Sequence, residues 1–537
     1  MNVAVAPAAG YPRWRQRLSP WSVGAAAMIS VLLVPIAVVA LSMLGRSSPT
    51  WQHICDTVLT TYLWNTALLV AGVGACTLVI GVSCAWLVTF YRFPGRAVLS
   101  WALVLPFAIP TYIAAYCYAD LQDLVGVDMM NLPGAILVVS LVLYPYVYLI
   151  TCSTLQGQSG RILESSQSLG RGAAYSFWRL GFPIARPAIV GGMTLVTMEV
   201  LNEYGAVHYY GVDTFTTGIF KVWYGMDDTQ GAMRLAATLM MLVLALLLLE
   251  RLQRGRKQFT TCGSDYRPCM PGQLRGSVSW LAAGWCTLPV LLGFLFPVGQ
   301  LLIWLKQSGA SSFGAGFAKI AGQSFVLASC AALTTVIVAV ILAYTVRLHR
   351  SRLITALSKA SALGYSMPGA VIAIGVMVTV VAADRGVLRH VAGFFGAKPG
   401  LILTSSIVVL LFAYVLRYLT VAVNPIEAGF ERLCGSMDEA SRALGHSPLK
   451  TLLQVNLPLA KSTLIAAALL VFVDVLKELP LTLILRPTNF ETLATKTFEL
   501  AGEEMIAQSA IGALLIVATG IVPILILDRL LCSKRPT

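Results

Sequence analysis

Long apolar stretches constrain this chain more than any other feature of its sequence. Residues 23–44, 135–154, 325–344 and 401–423 are apolar stretches, each about as long as the roughly 20 residues that an α-helix needs to cross a bilayer. Only 12% of the residues are charged, against about a quarter in soluble domains. The pattern predicts an all-α integral membrane protein with about twelve transmembrane helices, near 23–45, 64–90, 98–119, 134–154, 188–208, 231–250, 279–305, 323–346, 360–382, 401–423, 463–484 and 508–530.

Positive charge is concentrated in alternate loops between these stretches. The formal net charge is +14, and Lys and Arg cluster within 92–96, 161–186, 251–275, 347–352 and 432–461. Because cytoplasmic loops of membrane proteins carry an excess of Lys and Arg, we predict that both termini lie in the cytoplasm. This arrangement accounts for the charge without a nucleic-acid partner.

A short polar signature occurs twice in the predicted cytoplasmic loops, with its copies 275 positions apart (164 to 439). No gap is needed to align them. The shared positions are a glutamate, a small residue, a glycine and a proline: Glu164, Ser165, Gly170 and Pro183 in the first copy, and Glu439, Ala440, Gly445 and Pro458 in the second. Equal spacing over this length indicates an internal duplication.

The repeat continues into the next predicted span. At the same offset, pairs of similar residues follow the signature: Glu199 and Asp474, Glu203 and Glu478, Phe215 and Phe490, Thr217 and Thr492, Lys221 and Lys496. Each half has six predicted spans, so both run in the same sense through the membrane. We therefore predict a first transmembrane half at 1–250, a basic cytoplasmic linker at 251–278 and a second transmembrane half at 279–537.

The second signature has the local pattern of two short helices. Ser436 precedes Glu439 with the spacing of a capping box, and Gly445 is suited to end the first helix. Ser447 and Pro448 then favour a new helix start. We expect an amphipathic helical loop that leads into the next span at Pro458.

These paired loops resemble the cytoplasmic loop of ATP-binding-cassette (ABC) importer permeases, where Glu-Ala-Ala is followed by Gly and later by Pro. The second copy matches closely, whereas the first has serine at both alanine positions. The resemblance implies a type I importer permease in a bacterial inner membrane, with each loop docking on one subunit of a separate ATPase dimer. It further implies a periplasmic substrate-binding protein as partner, and ATP and Mg²⁺ bound by the ATPase rather than by this chain.

Two segments narrow the resemblance to fused permeases for ferric iron. They are residues 203–218 in the first half and 474–487 in the second. Related importers carry thiamine, polyamines, sulfate or phosphonates, and these substrates stay open as alternatives. The resemblance covers essentially the whole chain, including its two-half layout.

Four acidic residues fall inside predicted spans. Glu199 and Glu203 form one i,i+4 pair, and Asp474 and Glu478 form the equivalent pair. This spacing places each pair on one helical face, and ionisable groups within a membrane usually face a bundle interior or a watery path. We consider two roles for them: a translocation path for a hard cation, which prefers oxygen ligands, and structural pairing at helix breaks. No metal site is assigned.

Other classes of protein fit the sequence less well. The chain has no GxxxxGK[ST] phosphate loop and no catalytic motif of the HExxH or GxSxG type, which disfavours an enzyme. An ion-gradient-driven secondary transporter would also use intramembrane carboxylates, but it would not need paired docking loops. A sensor or scaffold would lack a path between the halves.

Overall fold

The computed structural model describes residues 20–45, 48–121, 126–157, 173–254, 272–308, 315–349, 363–388 and 403–532. The first half contains α-helices at Pro20–Leu41, Pro49–Thr57, Leu59–Phe90, Arg96–Ala102, Thr111–Ala119, Leu132–Gly157, Ala173–Ser176, Phe182–Asn202, Gly205–Tyr209, Phe215–Phe220 and Thr229–Arg254. The second half contains α-helices at Ser277–Val290, Phe296–Ser308, Ala315–Leu348, Leu363–Ser366, Gly369–Ala383, Ile407–Glu431, Gly435–Ala443, Pro448–Thr451, Leu457–Leu459, Lys461–Leu476, Pro480–Leu485, Leu493–Gly502 and Ile506–Cys532.

Shorter turns extend or join these helices. Two are 3₁₀ turns, at Ser42–Leu44 and Leu105–Ala108. Five are π-helical turns, at Phe177–Gly181, Lys221–Gly225, Leu291–Leu295, Asp384–Leu388 and Leu452–Asn456.

Within the described part of the chain, ten helices are long and apolar enough to cross a membrane, and two bent pairs raise the number to twelve. The predicted membrane architecture of about twelve spans is therefore confirmed. The bent pairs are Arg96–Ala108 with Thr111–Ala119, at 89°, and Pro448–Leu459 with Lys461–Leu476, at 80°. The third predicted span, 98–119, is thus not a straight helix: Pro110 separates its two segments, because proline removes a backbone donor and restricts the residue before it.

The two halves pack their central helices in the same way. In the first half, Leu59–Phe90 packs against Leu132–Gly157, and Phe182–Asn202 packs against both. In the second half, Ala315–Leu348, Ile407–Glu431 and Lys461–Leu476 form the equivalent group of three. The duplication inferred from sequence is therefore also a duplication of the packing.

The halves are joined by helices that reach across to the other repeat. Pro20–Leu41 packs on Gly369–Ala383, and Phe296–Ser308 packs on Thr111–Ala119. Polar contacts also join the halves: the Tyr118 hydroxyl donates to the Leu292 carbonyl at 2.7 Å beside the second crossing, and the Trp285 indole N–H donates to Ser83 of Leu59–Phe90 at 2.8 Å. These crossings join the two halves.

The C-terminal end of the predicted linker contacts the first half. Tyr91–Arg92 and Gly272–Gln273 form a short parallel two-stranded ladder, and the Leu274 N–H donates to the Arg92 carbonyl at 3.2 Å. Residues 255–271 lie outside the described part of the chain. The division into 1–250, 251–278 and 279–537 stays a prediction.

The expected capping box at Ser436 is wrong. The helix Gly435–Ala443 begins two residues earlier than expected, with Cys434 rather than Ser436 at its N-cap position and no side-chain cap. The expected end is confirmed, because Gly445 adopts a left-handed φ of 78° just past the helix. Ser447 then caps Pro448–Thr451 by accepting from the Lys450 N–H at 3.3 Å.

The constant offset of 275 ends beyond the acidic pairs. Thr214 and Thr217 form a capping box at Phe215–Phe220, and Thr492 and Thr495 form the equivalent box at Leu493–Gly502. The structural offset is therefore 278 (214 to 492). The sequence pairing of Thr217 with Thr492 is wrong by three residues, since a short insertion shifts the register after the helix breaks.

Candidate translocation cavity and docking surface

The two helices that carry the acidic pairs both end inside the bundle. Phe182–Asn202 ends before Glu203, whose backbone is extended with φ −64° and ψ 122°. Lys461–Leu476 ends before Glu478, and Pro480 opens the next short helix. Each pair is therefore divided by a helix end, and the expected i,i+4 arrangement on one helical face is wrong.

The second carboxylate of each pair, Glu203 or Glu478, caps the short helix that follows. Glu203 accepts from the Ala206 N–H at 2.8 Å, and Glu478 accepts from the Leu481 N–H at 3.2 Å. Such contacts satisfy backbone donors that a helix start leaves unpaired. The predicted structural role at helix breaks thus has a geometric basis for these two glutamates.

All four acidic side chains nevertheless line one cavity of about 120 Å³. Glu199 and Asp474 are partly exposed to it, whereas Glu203 and Glu478 are buried. Aromatic side chains share the lining, among them Tyr146, Tyr365 and Tyr418. The structure therefore brings together the residues that the sequence selected as path candidates.

Two cations partly neutralise the cavity. The guanidinium of Arg417 lies 3.3 Å from Glu478 and is 7% exposed, and Lys477 lies 3.2 Å from Asp474. The Lys477 ammonium also sits 4.4 Å from the centre of the Phe107 ring, a favourable cation–π distance. Sequence reasoning missed Arg417, although a lone arginine within the apolar stretch 401–423 is itself a signal of function.

Asn202 joins the two halves beside this ion pair. Its side-chain oxygen accepts from the Gly369 N–H at 2.7 Å and from Arg417 at 3.2 Å. A Cβ on Gly369 would lie 2.7 Å from the Arg417 guanidinium and 2.8 Å from the Glu478 carboxylate. Glycine at this position is therefore required for the close approach of the backbone to the ion pair.

A second, larger cavity of about 1000 Å³ is lined mainly by residues that follow the two helix breaks in the chain. Tyr204 is common to the linings of both cavities. Its ring stacks on Phe220 at a centroid distance of 3.7 Å and on His208 at 5.0 Å. Tyr204 and these two rings form an aromatic layer that borders both spaces.

The second sequence signature forms an exposed helix, Gly435–Ala443, which we call the docking helix. Glu439 and Ala440 are exposed on it, and Leu444 at its C-terminal end is 77% exposed. Further exposed apolar side chains follow at Leu449 and Leu453. Several exposed apolar side chains in one short segment favour a protein–protein contact.

Arg347 fixes the docking helix to the bundle. It donates to the buried Asp438 carboxylate at 2.7 Å, to the Leu433 carbonyl at 3.2 Å and to the Phe430 carbonyl. Sequence reasoning missed this pair because the repeat gives no sign of it: Leu163 stands at the equivalent position of the first copy.

The structure describes some of the remaining signature residues but not others. Glu164, Ser165 and Gly170 lie outside the described residues. Pro183 is the second residue of Phe182–Asn202 and Pro458 lies within Leu457–Leu459, just before the 80° bend. The docking roles of all eight signature residues stay predictions.

In the described ranges no three His, Cys, Asp or Glu side chains converge as a ready-made metal site. The cavity instead mixes carboxylates with phenols and cations. This chemistry suits a passage that contacts a solute through oxygen atoms better than a permanent metal centre.

A duplicated helical membrane protein, with a cavity between its halves that is lined by carboxylates and cations, has the features of a membrane transport component. Residues 77–254 and 335–534 match the family described as "binding-protein-dependent transport system inner membrane component". The chain belongs to this family. Its architecture is that of a type I ABC importer permease, as predicted, and its family members are transport subunits rather than enzymes.

Individual relatives support the same assignment. The chain is 28% identical to the Fe(3+)-transport system permease protein FbpB 2 of Haemophilus influenzae, over 87% of this chain and 89% of the relative. It is 29% identical to the probable sulfate transport system permease protein cysT of Chlorokybus atmophyticus, over 35% of this chain and 70% of the relative. The Escherichia coli sulfate transport system permease protein CysW is also 29% identical, over 33% and 65%.

Replacing Gly369 by Ala tests the closeness of the two halves. We expect Gly369→Ala to lower the free energy of unfolding by about 1–3 kcal/mol, because the added methyl group overpacks the ion pair. The measurement is thermal unfolding of the purified permease in detergent. The matched control is Gly322→Ala, which faces open space within a helix, and equal melting temperatures for the two variants would contradict the assignment.

Replacing Arg347 by Met tests the attachment of the docking helix. Asp438 would keep a buried, unpaired charge, which costs about 3 kcal/mol. We therefore expect amide hydrogen exchange in Gly435–Ala443 to accelerate by about a hundredfold. Arg432→Met, at an exposed arginine just before the docking helix, is the control, and identical exchange rates in both variants would count against this role of Arg347.

Proposed function

We propose that the chain is the membrane permease of an ATP-driven importer of ferric iron. The single observation that carries the substrate is the similarity to the Fe(3+)-transport permease, which extends over 87% of this chain and includes both halves. The similarity to the sulfate permeases extends over about a third of the chain.

The chemistry of the cavity supports a cationic cargo. Four carboxylates, Glu199, Glu203, Asp474 and Glu478, face two cations, Arg417 and Lys477, so the formal charge of this set is −2. Hard cations prefer carboxylate and other oxygen ligands. A site for sulfate would need the opposite balance, although two cations within the lining keep an oxyanion as the second candidate.

The proposed drive comes from a separate ATPase dimer that binds ATP and Mg²⁺. One ATPase subunit would seat on the docking helix through Leu444 and Leu449, and the other on the first signature. By the positive-inside rule this end of the bundle faces the cytoplasm, with both termini. A periplasmic binding protein would release its cargo into the larger cavity at the opposite end.

Transport would follow from two conformations with different access. ATP-driven closure of the ATPase dimer would displace the docking loops and open the aromatic layer at Tyr204 towards the larger cavity. Hydrolysis would restore the first state. The energy of ATP enters only as a bias between these two states, so the chain itself needs no catalytic residue.

Radioiron uptake into proteoliposomes tests this function. The chain is reconstituted with its ATPase and binding protein, and ferric uptake is measured with and without Mg-ATP. We expect uptake only with all components present. Uptake that persists in sealed vesicles without ATP would instead support an ion-gradient-driven carrier.

The variant Leu444→Glu tests the docking surface in the same system. A charge at this 77% exposed position would be buried in the ATPase interface, and we expect ATPase binding to weaken by about a hundredfold because hot-spot losses exceed 2 kcal/mol. Val127→Glu, at an exposed loop position with 48% exposure, is the control. Undiminished binding and uptake with Leu444→Glu would refute the docking assignment.

A further inference from the structure

We propose that cargo is contacted through a single carboxylate, Glu199 of the first half, together with the phenol oxygens of Tyr146 and Tyr365, and that the cargo is a hard cation. The equivalent acidic pair of the second half, Asp474 and Glu478, is neutralised by cations of the same half, Lys477 and Arg417. This inference rests on the proposed function and assigns different roles to two halves that share one packing.

The asymmetry starts from the repeat itself. Leu132–Gly157 and Ile407–Glu431 begin 275 positions apart (132 to 407), so their residues correspond one to one. Val142 stands at the position equivalent to Arg417, and Asn202 at the position equivalent to Lys477. Both cations of the cavity therefore come from the second half.

Each second-half carboxylate is paired with one of these cations. Glu478 contacts Arg417 at 3.3 Å and accepts from the Tyr418 hydroxyl at 2.6 Å, in addition to its backbone cap. Asp474 is paired with Lys477 at 3.2 Å. A cation entering the cavity would therefore meet a resident positive charge beside either carboxylate.

The first-half carboxylates differ from each other. Glu203 is buried and held by the Thr111 hydroxyl and the Ala206 N–H. Glu199 accepts only long hydrogen bonds from the phenols of Tyr146, at 3.3 Å, and Tyr365, at 3.4 Å. Among the described residues no cation lies within salt-bridge distance of Glu199, and its side chain is partly exposed to the cavity. It is the carboxylate most open to a new partner.

An unsatisfied hydroxyl in the same cavity points to a ligand independently of the acidic residues. Tyr112 lines this cavity and is 3% exposed, and its buried hydroxyl has no hydrogen-bond partner in the described part of the chain. Buried polar groups without partners are rare and call for an explanation. A cargo cation, with its remaining water molecules, would supply the missing partner.

The positive charges of Arg417 and Lys477 would help the cavity to release its cargo cation. A transport site must bind its ion strongly enough to admit it and weakly enough to let it leave. Four unneutralised carboxylates would hold a trivalent cation tightly at low dielectric. Because Arg417 and Lys477 neutralise the second-half carboxylates, the cation is attracted mainly by Glu199. The phenols of Tyr146 and Tyr365 add neutral oxygen atoms around the cation.

Terbium luminescence and ferric uptake together test the proposal. Tb³⁺ is a hard trivalent probe that emits when a nearby tyrosine is excited, and it is added to the full chain bound to its ATPase. We expect Glu199→Gln to reduce both Tb³⁺ affinity and ferric uptake by about tenfold or more, the size typical of a weakened metal contact. Glu199→Asp should restore part of both signals.

The matched comparison is the double variant Asp474→Asn with Lys477→Met, which removes the second-half pair without changing the net charge. We expect a smaller loss of Tb³⁺ affinity than with Glu199→Gln. Equal losses in an active complex would overturn the inference and leave the proposed function intact. An unmodified complex that hydrolyses ATP but takes up no ferric iron would overturn the proposed function itself.

Discussion

The buried ion pair between Arg417 and Glu478 is the interaction on which the centre of this protein depends. Glu478 also caps the helix after the second break, and Arg417 also binds Asn202 at the end of the first broken helix. The pair thus sets the positions of two helix ends, one from each half. Removing one partner of a buried pair costs about 3–5 kcal/mol, so the geometry of the cavity follows from this contact.

The sequence predicts the large features of the fold because they depend on local patterns. Apolar runs mark the spans, and the equal spacing of Glu164 and Glu439 marks the duplication. The helix breaks are harder to predict. Pro480 marks the second break, but residues 199–206 contain no proline, so Glu199 and Glu203 read as one continuous helix.

Contacts between the halves lie beyond what sequence patterns reveal. Asn202 and Arg417 are 215 positions apart, and no periodicity relates an amide in one helix to a guanidinium in another. The four acidic residues line one cavity, as expected of ionisable groups inside a membrane, which face a shared interior. Their individual partners depend on Arg417 and Lys477, which the repeat does not duplicate.

The 80° bend after Pro458 has a mechanical consequence. Residues 448–459 and 461–476 form two arms that meet at Ala460, with lengths of roughly 18 Å and 24 Å at 1.5 Å per residue. Because the two arms meet at nearly a right angle, a rotation about Ala460 that moves one arm sideways moves the end of the other arm along the bundle. A sideways shift of a few ångströms at the docking end therefore becomes a shift of similar size along the bundle at Asp474, without any helix having to stretch or unwind.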